Sequence, residues 1–214
     1  MLADIEWLAN ADTPSRRKIL INGSLPDEDI KNNFGGKLVS QITQNMNFVM
    51  DMDVQSFLRL HAQSRFLEDA ENKVKEVIDL ANNLSGETFD PRTPVTFLSG
   101  GQSRALMIAD VACIGQAPIV LIDEIENAGV DKTKALGLLL SKEKIVLMAT
   151  LDPLLILQAD RRVVIKNGGM QKVLTTNEHE RACFWKLKKL DETMQTAREF
   201  FRAGNELETC DWFN

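Results

Sequence analysis

Residues 119–122, Ile-Val-Leu-Ile, form an unbroken apolar run between Pro118 and the acid pair Asp123-Glu124. A strand with one solvated face alternates polar and apolar residues, so an unbroken run is the mark of a strand buried on both faces. Lys144-Ile-Val-Leu-Met-Ala-Thr150 is a second run of this kind, and Lys132 to Leu140 between them has helical character. Strand, helix, strand predicts a parallel sheet, because parallel neighbours need a crossover and a helix is the usual one.

The rest of the chain can be placed around that sheet. Leu2 to Ala9, with apolar residues at 2, 5, 8 and 9, suits a short helix. Turn-rich residues 10–17 lead into Lys18-Ile-Leu-Ile-Asn-Gly23, which reads as a strand closed by an Asn-Gly turn, and Lys37-Leu-Val-Ser-Gln-Ile42 reads as another strand. From Asp53 the period becomes helical. Val54, Phe57, Leu58, His61 and Ala62 share one face, and Val74, Val77, Ile78 and Ala81 share a face within 71–83. These make a small helical insert. A loop at 85–94 precedes a further helix over 102–114. Arg162 to Lys166, Asn167-Gly-Gly169 and Met170 to Leu174 predict a hairpin that closes the sheet, and 178–203 is an amphipathic helical tail.

Composition narrows the function classes. The chain has 214 residues, 44% hydrophobic and 26% charged, which suits an ordinary globular protein. A net charge of −6 and a pI near 5.1 argue against nucleic acid as the main partner, since a phosphate backbone calls for a basic face. Cys113, Cys183 and Cys210 are odd in number and far apart, with only His61 and His179 to join them. No zinc spacing results, and a reducing, cytoplasmic setting is expected. No stretch approaches the roughly 18 apolar residues of a membrane span. Acids near Met1 stand where a signal peptide would have a basic region, so this segment is read as folded protein and not as an address.

Two segments carry chemistry. Leu98-Ser-Gly-Gly-Gln102 lies where a loop becomes a helix, so Ser99 falls near an N-cap and Gly100 and Gly101 would let backbone N–H groups approach an anion. By itself the segment also fits an ordinary helix start. Asp123 and Glu124 end the buried strand, where a carboxylate is costly to keep charged without a cation or a bound water as partner. Asp123 would hold Mg²⁺ and Glu124 would orient or deprotonate water.

In this order, Leu98-Ser-Gly-Gly-Gln102, then an apolar strand ending in Asp123-Glu124, then a loop with Asp131, the chain resembles the nucleotide-binding domain of the ABC ATPase family. Gln44 with Phe48, Val54 and Leu58 is similar to the family's Q-loop and the start of its helical subdomain, and Ala159 to Gly169 to its last strand pair. The resemblance spans about residues 1–174. It implies an α/β fold: a P-loop NTPase-like core with a mostly parallel sheet and a helical subdomain, truncated at its N-terminus and followed by a C-terminal helical tail. The implied parts are an ATPase core at 1–52 and 96–174, a helical subdomain at 53–95 and the tail at 175–214. ATP and Mg²⁺ are the implied cofactors, with Gln44 and Asp123 at the metal, Glu124 catalytic, and Ser99, Gly100, Gly101, Gln102 and Asp131 at the nucleotide. A head-to-tail dimer partner and a membrane subunit in trans are the implied partners, which would make the protein peripheral to a membrane.

Two departures qualify this. No G-x-x-x-x-G-K-[ST] phosphate loop occurs in the 214 residues; Gly35-Gly36-Lys37 lacks the first glycine and is followed by Leu38. Counting back from Gln44, that loop would fall just before Met1, so the chain is expected to begin within the domain. Thr150-Leu-Asp152 puts Leu151 where the family has a His at the γ-phosphate, and leucine can neither donate a hydrogen bond nor carry charge. Glu126 to Asp131 also differs from the Ser-Ala-Leu-Asp common in transporters. Three readings stay open: a subunit whose signature completes a partner's nucleotide site, a non-catalytic module built on an ABC ATPase fold, and a piece of a full ATPase. Trp7, Trp185 and Trp212 are read as packing residues, and Lys186 to Lys189 as a solvated helix face.

Overall fold

The structure, a computed structural model, describes residues 1–27, 37–43, 46–123 and 130–206. The chain divides into two units, 1–150 and 151–214. In the first, helix α1 (Leu2–Glu6), strand β1 (Val39–Ile42), helices α2 (Val54–Ser64) and α3 (Ala70–Ser85), a 3₁₀ turn (Val95–Phe97), helix α4 (Gly100–Cys113), strand β2 (Ile119–Asp123), helix α5 (Lys132–Ser141) and strand β3 (Ile145–Ala149) follow one another. The second unit holds helix α6 (Pro153–Gln158), strands β4 (Arg161–Lys166) and β5 (Gly169–Thr175), and helix α7 (Glu178–Arg202).

The parallel sheet expected from the apolar runs is present. Its order is β1-β2-β3, with Val39 opposite Ile119, Ile119 opposite Ile145, and Asp123 opposite Ala149. Val120, Leu121 and Ile122 are fully buried, as a central strand's side chains must be when both faces are covered. On one face Leu8, Val39 and Leu121 make a core with Leu2, Ile5, Ile19 and Ile21 packed against it. Helix α4 is the other organiser, burying Ala105, Leu106, Ile108 and Ala109 completely and packing on α3 and α5.

β3 departs from its reading as a buried strand. Ile145 is exposed and the residues after it are only half-buried, because β3 is the edge of the sheet among the described residues. Lys18 to Gly23 is a second correction. It makes only isolated bridges, Asn10 with Lys18 and Ile21 with Ser24, and no strand. The Asn-Gly turn itself forms, with Asn22 at φ 52° and Gly23 at φ 84°, the doubly left-handed pair that a tight type I′ turn needs. α1 also stops early. The Asp4 carboxylate there is buried and accepts hydrogen bonds from Ser15 Oγ (2.8 Å), Thr13 Oγ1 (2.8 Å) and Arg17 Nη1 (3.0 Å), which hold it well below the usual carboxylate range, Ser15 foremost. This acid thus organises the turn after the helix.

In the second unit the predicted hairpin forms around Asn167 (φ 51°) and Gly168 (φ 75°), but β4 and β5 make a two-stranded sheet of their own among the described residues and do not close the parallel one. α6 is an element the sequence reading lacked: Asp152 caps it through Leu154 N (2.8 Å) and Leu155 N (3.3 Å), with Pro153 in its first turn. Trp7 and Trp185 are not packing residues as read; both are mostly exposed, with Lys37 over one ring and Lys188 over the other. Trp212 lies outside the described residues. Lys186 and Lys189 are solvated. No helix among the described residues is long and apolar enough to cross a membrane.

Candidate nucleotide-facing site

The segment Leu98 to Gln102 is built by the loop before it. Val95 is buried and anchors the 3₁₀ turn, its N–H donating to Met52 O (3.0 Å), while Val54 N donates to Thr93 O (3.1 Å) and Gln55 N to Pro91 O (3.0 Å). The loop is therefore clipped to the first turn of α2. Leu98 leaves the 3₁₀ turn extended (φ −62°, ψ 137°), and Ser99 (φ −61°, ψ 162°) is the N-cap of α4.

Ser99 and Gln102 form a reciprocal capping box. Gln102 N donates to Ser99 Oγ at 3.3 Å, and Ser99 N donates to Gln102 Oε1 at 2.9 Å. Ser103 N donates to Ser99 O at 2.8 Å, the first intrahelical bond. That accounting leaves the Gly100 and Gly101 amides as the first-turn donors for which no intrahelical carbonyl exists. Gly100 is exposed and Gly101 half-buried, at the outer end of the helix. An added Cβ at Gly100 would meet only Arg104 Nη1, at 3.6 Å, an ordinary contact. The chain's own packing does not require glycine there.

The other predicted residues lie on separate elements. Asp123 ends β2, half-buried, one residue beyond the fully buried Ile122. Asp131 is the N-cap of α5: its Oδ1 accepts from Thr133 N (3.1 Å) and Lys134 N (3.0 Å), and Lys134 Nζ stands 3.7 Å from its Oδ2. Gln44 and Glu124 lie outside the described residues. Lys37 has its ammonium 5.9 Å from the Trp7 ring centre. Leu151 is 91% exposed.

Sequence reasoning missed what links two of these groups. Gln102 Nε2 donates to Glu87 O and Thr88 O, both at 3.4 Å, and Asp131 N donates to Leu84 O at 3.2 Å. All three bonds end on the turn that closes α3. The only trace in the sequence is Ser85-Gly86 at the end of the helical pattern, a common helix stop.

Over 207 residues the chain is 49% identical to an uncharacterized ABC transporter ATP-binding protein of Methanocaldococcus jannaschii, a match covering 97% of this chain and 79% of that protein. The chain belongs to the ABC transporter ATP-binding protein family. Solved structures agree on the ABC ATPase fold. An ATP-binding subunit of an ABC transporter superposes with a TM-score of 0.60 at 19% identity, covering 85% of this chain and 76% of that one. A dimeric ATP-binding cassette in a post-hydrolysis state with ADP and Pi gives 0.53 at 17%, covering 72% and 69%. CbiO1 from Clostridium perfringens, part of an ABC transporter complex, gives 0.52 at 18%, covering 82% and 75%. No protein-family model matches the chain. In this ABC-type chain the capping box opens α4, and Asp123 ends the central strand.

Proposed function

We propose that the chain is the ATP-binding subunit of an ABC-type assembly, and that its signature Ser99 to Gln102 completes a nucleotide site whose phosphate loop belongs to another chain in a head-to-tail pair. The observation that carries this is the capped start of α4. Ser99 and Gln102 satisfy each other, the Gly100 and Gly101 amides remain for an anion, and Gly100 sits in space that a side chain could fill without a clash. A glycine unneeded by its own fold suits a backbone that something outside the chain approaches.

The donor set fits MgATP. Asp123 would hold Mg²⁺ with Gln44, Glu124 would orient the attacking water, and Asp131 would face the nucleotide beside the signature, all by family position. Bound Mg²⁺ supplies neutralisation of the phosphate charge that develops as the γ-phosphoryl leaves. This chain contributes a strand-end carboxylate fixed by the buried Val120 to Ile122, and a helix start whose amides need no reorganisation. Residues 53–95 then form the helical subdomain, the part that would meet a membrane subunit.

Titration calorimetry tests the divided site. The chain alone is expected to bind MgATP weakly, and mixing it with an ABC-type chain that carries a G-x-x-x-x-G-K-[ST] loop should give tight binding and hydrolysis that Ser99→Arg abolishes. Tight binding of MgATP by this chain alone would refute the proposal.

A second reading, a module that engages nucleotide but hydrolyses it poorly, is favoured by Leu151, an exposed leucine where the family has a histidine. Loss of one such donor costs about 10²-fold in rate. On this reading Leu151→His raises kcat of the mixed pair; an unchanged kcat would remove it.

A further inference from the structure

We infer that the turn closing α3, residues 82–89, fixes the register between the signature and Asp131, with Asn82 and Ser85 as positioning residues. The inference rests on the proposal that the signature and Asp131 serve one nucleotide site.

The turn is held from within. Asn82 uses both ends of its amide on one residue, Nδ2 donating to Phe89 O (3.3 Å) and Oδ1 accepting from Phe89 N (2.9 Å). Ser85 Oγ donates to Glu87 O (2.7 Å), and Gly86 takes the left-handed conformation (φ 70°) that reverses the chain after the helix. Phe89 and Leu84 are buried, so the turn is seated as well as bonded.

Its carbonyls then reach outward in two directions. Glu87 O and Thr88 O accept from Gln102 Nε2, while Leu84 O accepts from Asp131 N, and the neighbouring Asn83 Oδ1 accepts from Lys134 Nζ at 3.5 Å. Gln102 is engaged at both ends, since its Oε1 already takes Ser99 N. Its side chain is thus a strut between the signature backbone and the turn. Asp131 is likewise engaged through its backbone N–H and its carboxylate. Eight residues of turn therefore hold the helix start that presents Gly100 and Gly101 and the helix start capped by Asp131. Loosening the turn should blur both positions together without altering which groups are present.

The test uses the full chain with Asn82→Ala, and Asn82→Asp as a milder variant that keeps the acceptor for Phe89 N. Amide hydrogen exchange is followed at Phe89, Ser99, Asp131 and, as a control in the sheet, Leu121. With Asn82→Ala, exchange at Phe89, Ser99 and Asp131 should accelerate about fivefold to tenfold, the range a lost hydrogen bond gives, with Leu121 unchanged and Asn82→Asp in between. In the mixed pair, kcat for MgATP should fall with KM unchanged. Acceleration at Phe89 alone would overturn the inference, and so would equal acceleration at Leu121, which would make Asn82 a general support of the fold. If the wild-type pair hydrolyses no ATP, the proposed function falls, and the exchange pattern still decides whether the turn couples the two segments.

Discussion

His61 Nδ1 lies 2.8 Å from Asp110 Oδ1 and 3.0 Å from Oδ2, joining α2 to the helix that begins at the signature. Arg65 Nε donates to His61 Nε2 at 3.5 Å, so Nδ1 carries the proton that Asp110 accepts. The pair lines an open hollow with Phe57, Leu60 and Ser64. Asp110→Ala should destabilise the chain by about 1–3 kcal/mol, because it strands a half-buried imidazole donor. Asp110→Asn, which keeps an acceptor, should cost less. Urea unfolding checks the order of the two; equal midpoints for Asp110→Ala and the wild type would refute it.

Glu76 gives the first unit a pH dependence. Its carboxylate accepts from Lys142 Nζ (2.6 Å) and Lys73 Nζ (2.7 Å), and these bonds, Lys142 first, lower its pKa from 4.5 to about 2. The folded value lies below the unfolded one, so the contribution is complete above pH 4.5 and is lost as the pH falls toward 2. Both partners are about one-third exposed, so solvent screening reduces the contribution to about 1 kcal/mol. Glu76→Gln should lose that amount at pH 7 and nothing near pH 2, as read by denaturation across the range. A difference independent of pH would exclude the ion pair as its source.

Two glycines should respond oppositely to alanine. At Gly115, after α4, a Cβ would lie 2.7 Å from Val111 O and 3.0 Å from Val111 Cα, both backbone atoms. The last turn of α4 would have to move, at a cost of about 1–3 kcal/mol. Gly137, exposed within α5, has nothing within 4 Å of that position, so Gly137→Ala should stabilise by about 0.5–1 kcal/mol through helix propensity. Thermal unfolding of both variants should therefore move in opposite directions from wild type.

The capping box can be separated from any role toward nucleotide. Ser99→Ala removes the acceptor for Gln102 N and should cost about 1 kcal/mol. Ser99→Asp restores a cap and hence stability, yet puts a negative charge where phosphate is proposed to approach. Stability regained with hydrolysis in the mixed pair still lost is the expected result; recovery of both would mean that Ser99 matters only as a cap.

The sequence by itself determined the parallel sheet, the two helices of the insert and the signature helix. A run as short and unbroken as Ile119 to Ile122, bounded by Pro118 and Asp123, suits a strand covered on both faces, and the periods at 54–62 and 74–81 bury one face each. Those patterns are local, and so is the Ser99 cap, which needs only a residue three positions on. Tertiary structure decided what no local period records. Whether the second apolar run is central or an edge depends on its neighbours, and among the described residues β3 has one where β2 has two. No local period records the partners of Asp4, His61 and Asp110, which lie far along the chain. The tie of Gln102 and Asp131 to one turn runs through the backbone carbonyls of residues 84, 87 and 88, and a carbonyl's partner is set by where the chain passes in space, not by the side chain beside it.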